Sequence, residues 1–275
     1  MKKTVEKIRL SAQSQAAFSE VKHPLPILSL ERGYHVQDFT DFDERTKKFL
    51  RDNTSIDYTV EPEIDGLTVE LVYKKGALSV ASTRGDGFVG ENVTPNIRTI
   101  LSVPLTLIEQ ANGKPIPDLL EVRGEVYMET EAFATLNRDG IERGFPAFKN
   151  PQSAAADSLR QLDPRVTAKR PLNIFCFGIG EMSGPKFNTQ KELMITLQQW
   201  GLRVNRPYIR VCSSISEVID YCHHLEETKS QFPFEINGAV VKVNQLDLQA
   251  ELGQKSNSPR WAFALKFKKT EEDIP

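Results

Sequence analysis

Between Tyr58 and Ser82 the residue pattern leaves room for little except paired strands. Tyr58-Thr59-Val60-Glu61 and Leu67 to Tyr73 are rich in β-branched and aromatic residues, and Leu78 to Ser82 resumes the pattern after a Lys75-Gly76 turn. Leu67 to Ser82 therefore predicts a β-hairpin, and the fold around it must be organised on antiparallel strands.

The remaining elements alternate helix and strand. Residues 4 to 20, with apolar Val5, Ile8 and Leu10, suit a short helix or a loose arm. Asp38 to Arg51 carries Phe39, Phe42, Phe49 and Leu50 among charges and reads as an amphipathic helix. Pro95 to Arg98 opens a short helix, Glu121 to Met128 is a strand, and Glu131 to Asn137 begins another helix. Ala154 to Leu162 predicts a helix closed by Asp163-Pro164, because a residue before proline disfavours helical dihedrals. Ile174 to Ile179 is an apolar strand, Thr189 to Trp200 a helix ended by Gly201, and Ile215 to Lys229 a second amphipathic helix. Ile236 to Val243 and Trp261 to Phe267 are the last strands. The expected class is α+β, with antiparallel sheets flanked by helices.

Composition narrows the function classes. With 275 residues and 39% hydrophobic content the chain can bury one or two cores. Its 35 Lys plus Arg against 37 acids give a net charge of −2, so DNA contact needs a local basic patch and is expected to be weak for this chain alone. No stretch approaches the roughly 18 apolar residues of a membrane span, and Met1-Lys2-Lys3 leads into a polar segment, which reads as cytoplasmic. Cys176, Cys212 and Cys222 lack paired spacing, so neither a disulfide framework nor a zinc site is expected.

Several motifs fall in separate blocks: His23 to Leu30; Thr83-Arg84-Gly85-Asp86-Gly87 with Gly90-Glu91; Glu121 to Glu125; Ser158 to Pro164; Val240 to Asn244; and Arg260-Trp261 with Lys266. With Glu61-Pro62-Glu63-Ile64-Asp65-Gly66, they resemble the adenylation domain of bacterial NAD-dependent DNA ligases over about His23 to Lys268. The resemblance implies a ligase-type nucleotidyltransferase fold for residues 23–275, preceded by a short arm over 1–22. It implies NAD or AMP as the ligand and admits Mg2+. Glu61 would accept from the adenine amino group, and Ser29 and Leu30 would line the adenine and phosphate side. Arg84 and Glu125 would contact the ribose or order the phosphate region, Lys242 and Lys266 would neutralise the α-phosphate, and Phe177 would stack on adenine. The preceding helical domain of these ligases, their oligonucleotide-binding barrel, zinc module, helix-hairpin-helix region and BRCT-like module have no counterpart in these residues. A chain without them is expected not to seal nicks alone.

Position 63 breaks the pattern, since the family's Glu-Pro-Lys-x-Asp-Gly lysine carries AMP as a phosphoramidate and Glu63 offers a carboxylate instead. An acyl phosphate formed there would be hydrolytically labile. Two unit charges about 4 Å apart repel by roughly 1 kcal/mol in water and roughly 4 kcal/mol at an effective dielectric of 20, so Glu63 and Asp65 disfavour a phosphate unless a divalent cation bridges them. Gln152, Ser153 and Asp157 stand where the family has arginine, asparagine and glycine, and Asn237-Gly238 replaces Asp-Gly.

The first expectation is a pocket for NAD or an adenine nucleotide without lysyl-AMP chemistry. A second is a metal-dependent hydrolase of nucleotide phosphoanhydrides using Glu63 and Asp65, or Lys74 as a substitute nucleophile. A third is a scaffold for nucleic acid or protein, with Arg98, Arg160, Lys169 and Arg170 as a basic face. Each residue also has an ordinary reading: Lys242 as a snorkelling edge lysine, Arg84 to Gly87 as a turn, and Glu125 as a partner of Arg123.

Overall fold

In a computed structural model, residues 17–51, 56–111 and 113–267 are described. The expectation for residues 4 to 16 lies outside them. The strands in chain order are β1 (Glu20–Lys22), β2 (Glu31–Gly33), β3 (Tyr58–Ile64), β4 (Leu67–Lys74), β5 (Ala77–Thr83) and β6 (Val89–Glu91), followed by β7 (Leu119–Met128), β8 (Leu172–Met182), β9 (Arg210–Cys212), β10 (Ile236–Val243) and β11 (Ala262–Lys266). They form a five-stranded sheet in the order β2-β11-β10-β3-β9, a four-stranded sheet in the order β5-β4-β7-β8, and the pair β1-β6. All pairings are antiparallel except β2 with β11. The α+β class and the β4-β5 hairpin are as expected from the sequence.

Each large sheet has its own core. Under the five-stranded sheet, Tyr58, Val60, Val241 and Phe263 pack with Phe39 and Phe42 of helix Val36–Leu50 and with Val218, Cys222 and Leu225 of helix Ile215–Glu227. The Tyr58 hydroxyl donates to Asp43 at 2.7 Å, so the buried phenol is satisfied. Under the four-stranded sheet, Val69, Leu71, Val122 and Ile174 pack with Leu193, Leu197 and Trp200 of helix Gln190–Gln199. The chain passes from one sheet to the other between β3 and β4, at Asp65-Gly66. That crossover puts the Glu61 to Gly66 segment at the seam between the sheets.

The strands β3 and β8 run longer than expected, the short strands β1, β2, β6 and β9 were not expected, and one helix differs at both ends. Helix Pro151–Leu159 starts three residues earlier than the alanine run suggests, because the Asn150 side chain accepts from the Ser153 N–H and Pro151 fits the first helical turn. It also stops at Leu159, and Asp163 caps a separate short helix, Pro164–Thr167, by accepting from the Arg165 N–H. Asp163-Pro164 is thus a helix start as well as a stop.

Candidate functional site

A cleft of about 1230 Å³ opens at the seam, lined from both sheets. It contains all ten residues singled out in the sequence: Ser29, Leu30, Glu61, Glu63, Asp65, Arg84, Glu125, Phe177, Lys242 and Lys266. Strand alternation explains one wall. Tyr58 and Val60 face the core, so Thr59, Glu61 and Glu63 face the other way. Pro62 lacks an N–H, and it sits where β3 has run past its last pair with β9, Val60 with Arg210.

Register brings the charges together. Gly238 of β10 lies opposite Glu63 of β3 on one side and Lys266 of β11 on the other. Glu63 and Lys266 are therefore two strands apart, and they meet over the glycine at 2.7 Å. A Cβ at Gly238 would stand 2.7 Å from the Glu63 Oε2 atom and 2.6 Å from the Leu265 carbonyl oxygen, so any larger residue would push into the pair. Lys266 also donates to Asn237 Oδ1 at 3.0 Å. One register step along, Val240 faces Glu61, and Lys242 reaches diagonally to the Glu61 carboxylate. Both side chains of this pair are more than nine-tenths buried.

The opposite wall supplies Phe177 and Glu125. Arg123 and Gly124 of β7 pair with Gly178 and Cys176 of β8, so Phe177 is the extra residue of a bulge. Its carbonyl, released from the ladder, accepts from Lys242 at 2.8 Å, and the lysine lies 5.5 Å from the ring centroid. Lys242 is therefore a neutralised, buried cation on an inner strand. The edge-lysine reading does not hold.

Arg84 donates to Ser29 Oγ at 2.7 Å and to the Ile27 carbonyl at 3.3 Å, tying the β5-β6 turn to the wall of the cleft. The turn reading of its segment is right as local geometry. Gly85 and Gly87 have φ of 57° and 97°, and Asp86 accepts from the N–H groups of Phe88 and Val89. His23 accepts or donates at both ring nitrogens, 2.9 Å from Glu70 and 3.2 Å from the Arg84 carbonyl oxygen. Burial lowers its pKa, but the Glu70 carboxylate together with the backbone of Arg84 and Thr83 raises it on balance.

Glu125 does not pair with Arg123, which lies 3.6 Å from Glu70 and donates to the Leu25 carbonyl. Thr68, its register partner on β4, hydrogen-bonds its carboxyl at 2.8 Å instead. Desolvation pushes Glu125 up to about 8, with Asp65 and Glu63 adding to the rise and Thr68 and Arg84 opposing it. Asp65 is also raised, first by burial and then by Glu63, against the pull of Lys266. In the unfolded chain Glu125 ionises near its ordinary 4.5, so the unfolded state carries fewer protons between about pH 4.5 and 8. Stability from this group is full below that window and falls as pH rises through it. Replacing Glu125 with glutamine should remove the fall. Relative to the parent, Glu125→Gln is expected to gain on the order of 2 kcal/mol between pH 5 and pH 8, discounted for the open cleft, as read from urea midpoints at the two pH values.

Other sequence expectations change. Lys74 ends β4 beside the Lys75-Gly76 turn and does not line the cleft, so it is not placed to replace a nucleophile. Among the described residues no three His, Cys, Asp or Glu side chains converge on a metal-binding point. With Glu63 held by Lys266, the donor set does not fit Mg2+ bridging Glu63 and Asp65. Arg160, offered for a basic face, is neutralised by Glu91 through two contacts of 2.6 and 2.8 Å. Gln152 donates to the Gly66 carbonyl at 3.2 Å and so ties helix Pro151–Leu159 to the crossover. The lining residue missed is Arg123, and its neighbour Glu70, held in turn by His23, does not line the cleft. Arg123 and His23 stood inside the quoted motif blocks, and their meeting with Glu70 depends on tertiary packing.

A cleft between two antiparallel sheets, carrying buried lysines, carboxylates and an aromatic ring at a bulge, defines a nucleotidyltransferase-type domain. The NAD-dependent DNA ligase adenylation domain family matches residues 15–270, and the chain belongs to that family. It is 49% identical over 261 residues to a DNA ligase of Geotalea daltonii, covering 94% of this chain and 38% of that protein. It is 50% identical over 253 residues to a DNA ligase of Geobacter sulfurreducens, covering 91% and 37%. The chain thus spans less than two-fifths of the length of these relatives. Among solved structures, the ATP-dependent DNA ligase of bacteriophage T7 in complex with ATP is similar at a TM-score of 0.41 and 10% identity, covering 86% of this chain and 67% of that one. No helix among the described residues is long and apolar enough to cross a membrane.

Proposed function

We propose that this chain keeps a pocket for the adenine end of NAD or AMP, does not form lysyl-AMP, and does not seal DNA nicks by itself. The observation that supports the reading is the ion pair of Glu63, the residue we read at the nucleophile position, with Lys266 at 2.7 Å. An ionised carboxylate held by a cation is a poor attacking group, and an acyl phosphate formed from it would not persist. The other cleft lysine, Lys242, donates to the Glu61 carboxylate and the Phe177 carbonyl, so its nitrogen is held by the protein and is not presented to phosphorus.

The retained parts support the binding half of the proposal. Phe177 offers a ring face, and Arg84 and Ser29 form a polar wall. When bound, NAD would supply an activated AMP group, and these residues would only orient it. DNA contact, implied by the names of the relatives, belongs to the same proposal as a property of longer proteins. The test is intact-mass analysis of the purified chain after prolonged incubation with NAD, with and without magnesium. No AMP adduct is expected. A stoichiometric adduct would overturn the reading and send the search to another nucleophile.

A further inference from the structure

The lining of the cleft carries six acidic and six basic side chains, and burial keeps Glu125 largely protonated below about pH 8. A pocket built for phosphate normally presents surplus cations and free N–H donors to its ligand. Here both cleft lysines, Lys242 buried and Lys266 partly so, already hold a carboxylate of the chain's own: Lys242 holds Glu61, and Lys266 holds Glu63. Lys242 also donates to the Phe177 carbonyl, and Lys266 donates to Asn237. Arg160 is likewise occupied by Glu91, and Arg123 lies against Glu70.

We propose that the cleft selects an adenine nucleoside with no 5′-phosphate over the corresponding nucleotide, because Glu63 on Lys266 supplies internally the anion that a phosphate would bring. The proposal rests on the adenine reading above and names its ligand class. A nucleotide whose 5′-phosphate reaches the Lys266 end of the cleft must either displace Glu63 from Lys266 or place that phosphate beside Glu63 and Asp65. The first exchanges one ion pair for another and leaves a half-buried carboxylate without its cation. The second sets like charges together in a cleft that screens them only in part. An uncharged nucleoside does neither. Its hydroxyl groups can donate to the same carboxylates, and its base can use Phe177. Gly238 belongs to the device, since the pair closes only over a residue without a side chain.

The experiment is calorimetric titration of the full chain with adenosine and with AMP, in EDTA and in magnesium, repeated on Glu63→Gln. The parent is expected to bind adenosine at least tenfold more tightly than AMP in both buffers. Glu63→Gln, close in shape but uncharged, frees Lys266 and should tighten AMP at least tenfold while moving adenosine less than threefold. Equal affinity of the parent for the two ligands, in either buffer, overturns the selectivity and leaves the adenine reading standing. So does an unchanged ratio in a folded Glu63→Gln. If that variant does not fold, the ratio on the parent alone decides. Binding of neither ligand to either protein overturns the adenine reading and the selectivity with it.

Discussion

Glu61→Ala is expected to destabilise the fold by about 3 kcal/mol or more, through the charge it leaves behind. Lys242 is buried on β10, and its side chain is 6% exposed. Its ammonium is compensated by the Glu61 carboxylate, with the Phe177 carbonyl as a second acceptor and the Phe177 ring beside it. Removing the carboxylate leaves a cation in a seam between two cores with only a neutral oxygen and a ring face to hold it. Breaking one partner of a buried pair typically costs roughly 3–5 kcal/mol, whereas replacing both by apolar groups is often close to neutral. Two further results follow. Glu61→Gln keeps an acceptor and should lose about half as much. The double variant Glu61→Ala, Lys242→Met should recover most of the loss, a coupling that a denaturant-based double-mutant cycle would read directly. A midpoint for Glu61→Ala equal to that of the parent would mean that water reaches Lys242 freely.

The same pair shows where sequence reading succeeds and where it stops. β10 is legible to the residue, because Ile236 to Val243 is an apolar run bounded by polar neighbours and its periodicity is local information. The β4-β5 hairpin is legible for the same reason, and Lys75 and Gly76 do take positive φ at its tip. Helix Pro151–Leu159 was read from its alanines, while its true start is written in Asn150-Pro151, a cap and a first-turn proline. The membership of the cleft was legible only through the resemblance, since nothing local in Val240 to Val243 says that Lys242 points into a pocket. Its electrostatic state was not legible at all. The meeting of Glu63 with Lys266 requires three strands in register with a glycine in the middle row, and the bulge that turns the Phe177 carbonyl toward Lys242 requires the register of β7 against β8. Ion pairing here is a property of sheet assembly, which single-chain periodicity does not encode. Glu125 with Arg123 is the converse case: two charges spaced by two residues suggest a partnership, and the fold gives each a different neighbour.

Glu63→Lys should convert a chain that carries no AMP into one that acquires it from NAD. The ammonium introduced at position 63 would face Lys266 across Gly238, in the place where a carboxylate now sits 2.7 Å from that lysine. Like charges at such range disfavour the protonated form, so one of the two amines should deprotonate well below the usual lysine range, which activates it as a nucleophile. The cleft lining would become more positive, which favours the phosphates that the parent disfavours. Stability should move the other way. The Glu63 to Lys266 pair is lost and a repulsion gained, which together should lower the fold by on the order of 1–2 kcal/mol, or a few degrees in Tm. The expected result is an AMP adduct by intact mass on Glu63→Lys and none on the parent, with the adduct forming faster as pH rises and the amine deprotonates. A folded Glu63→Lys that binds adenine ligands yet stays unmodified would show that the loss extends past the nucleophile. The positions to restore next would be Gln152, which ties the crossover through Gly66, and Asn237, which holds Lys266.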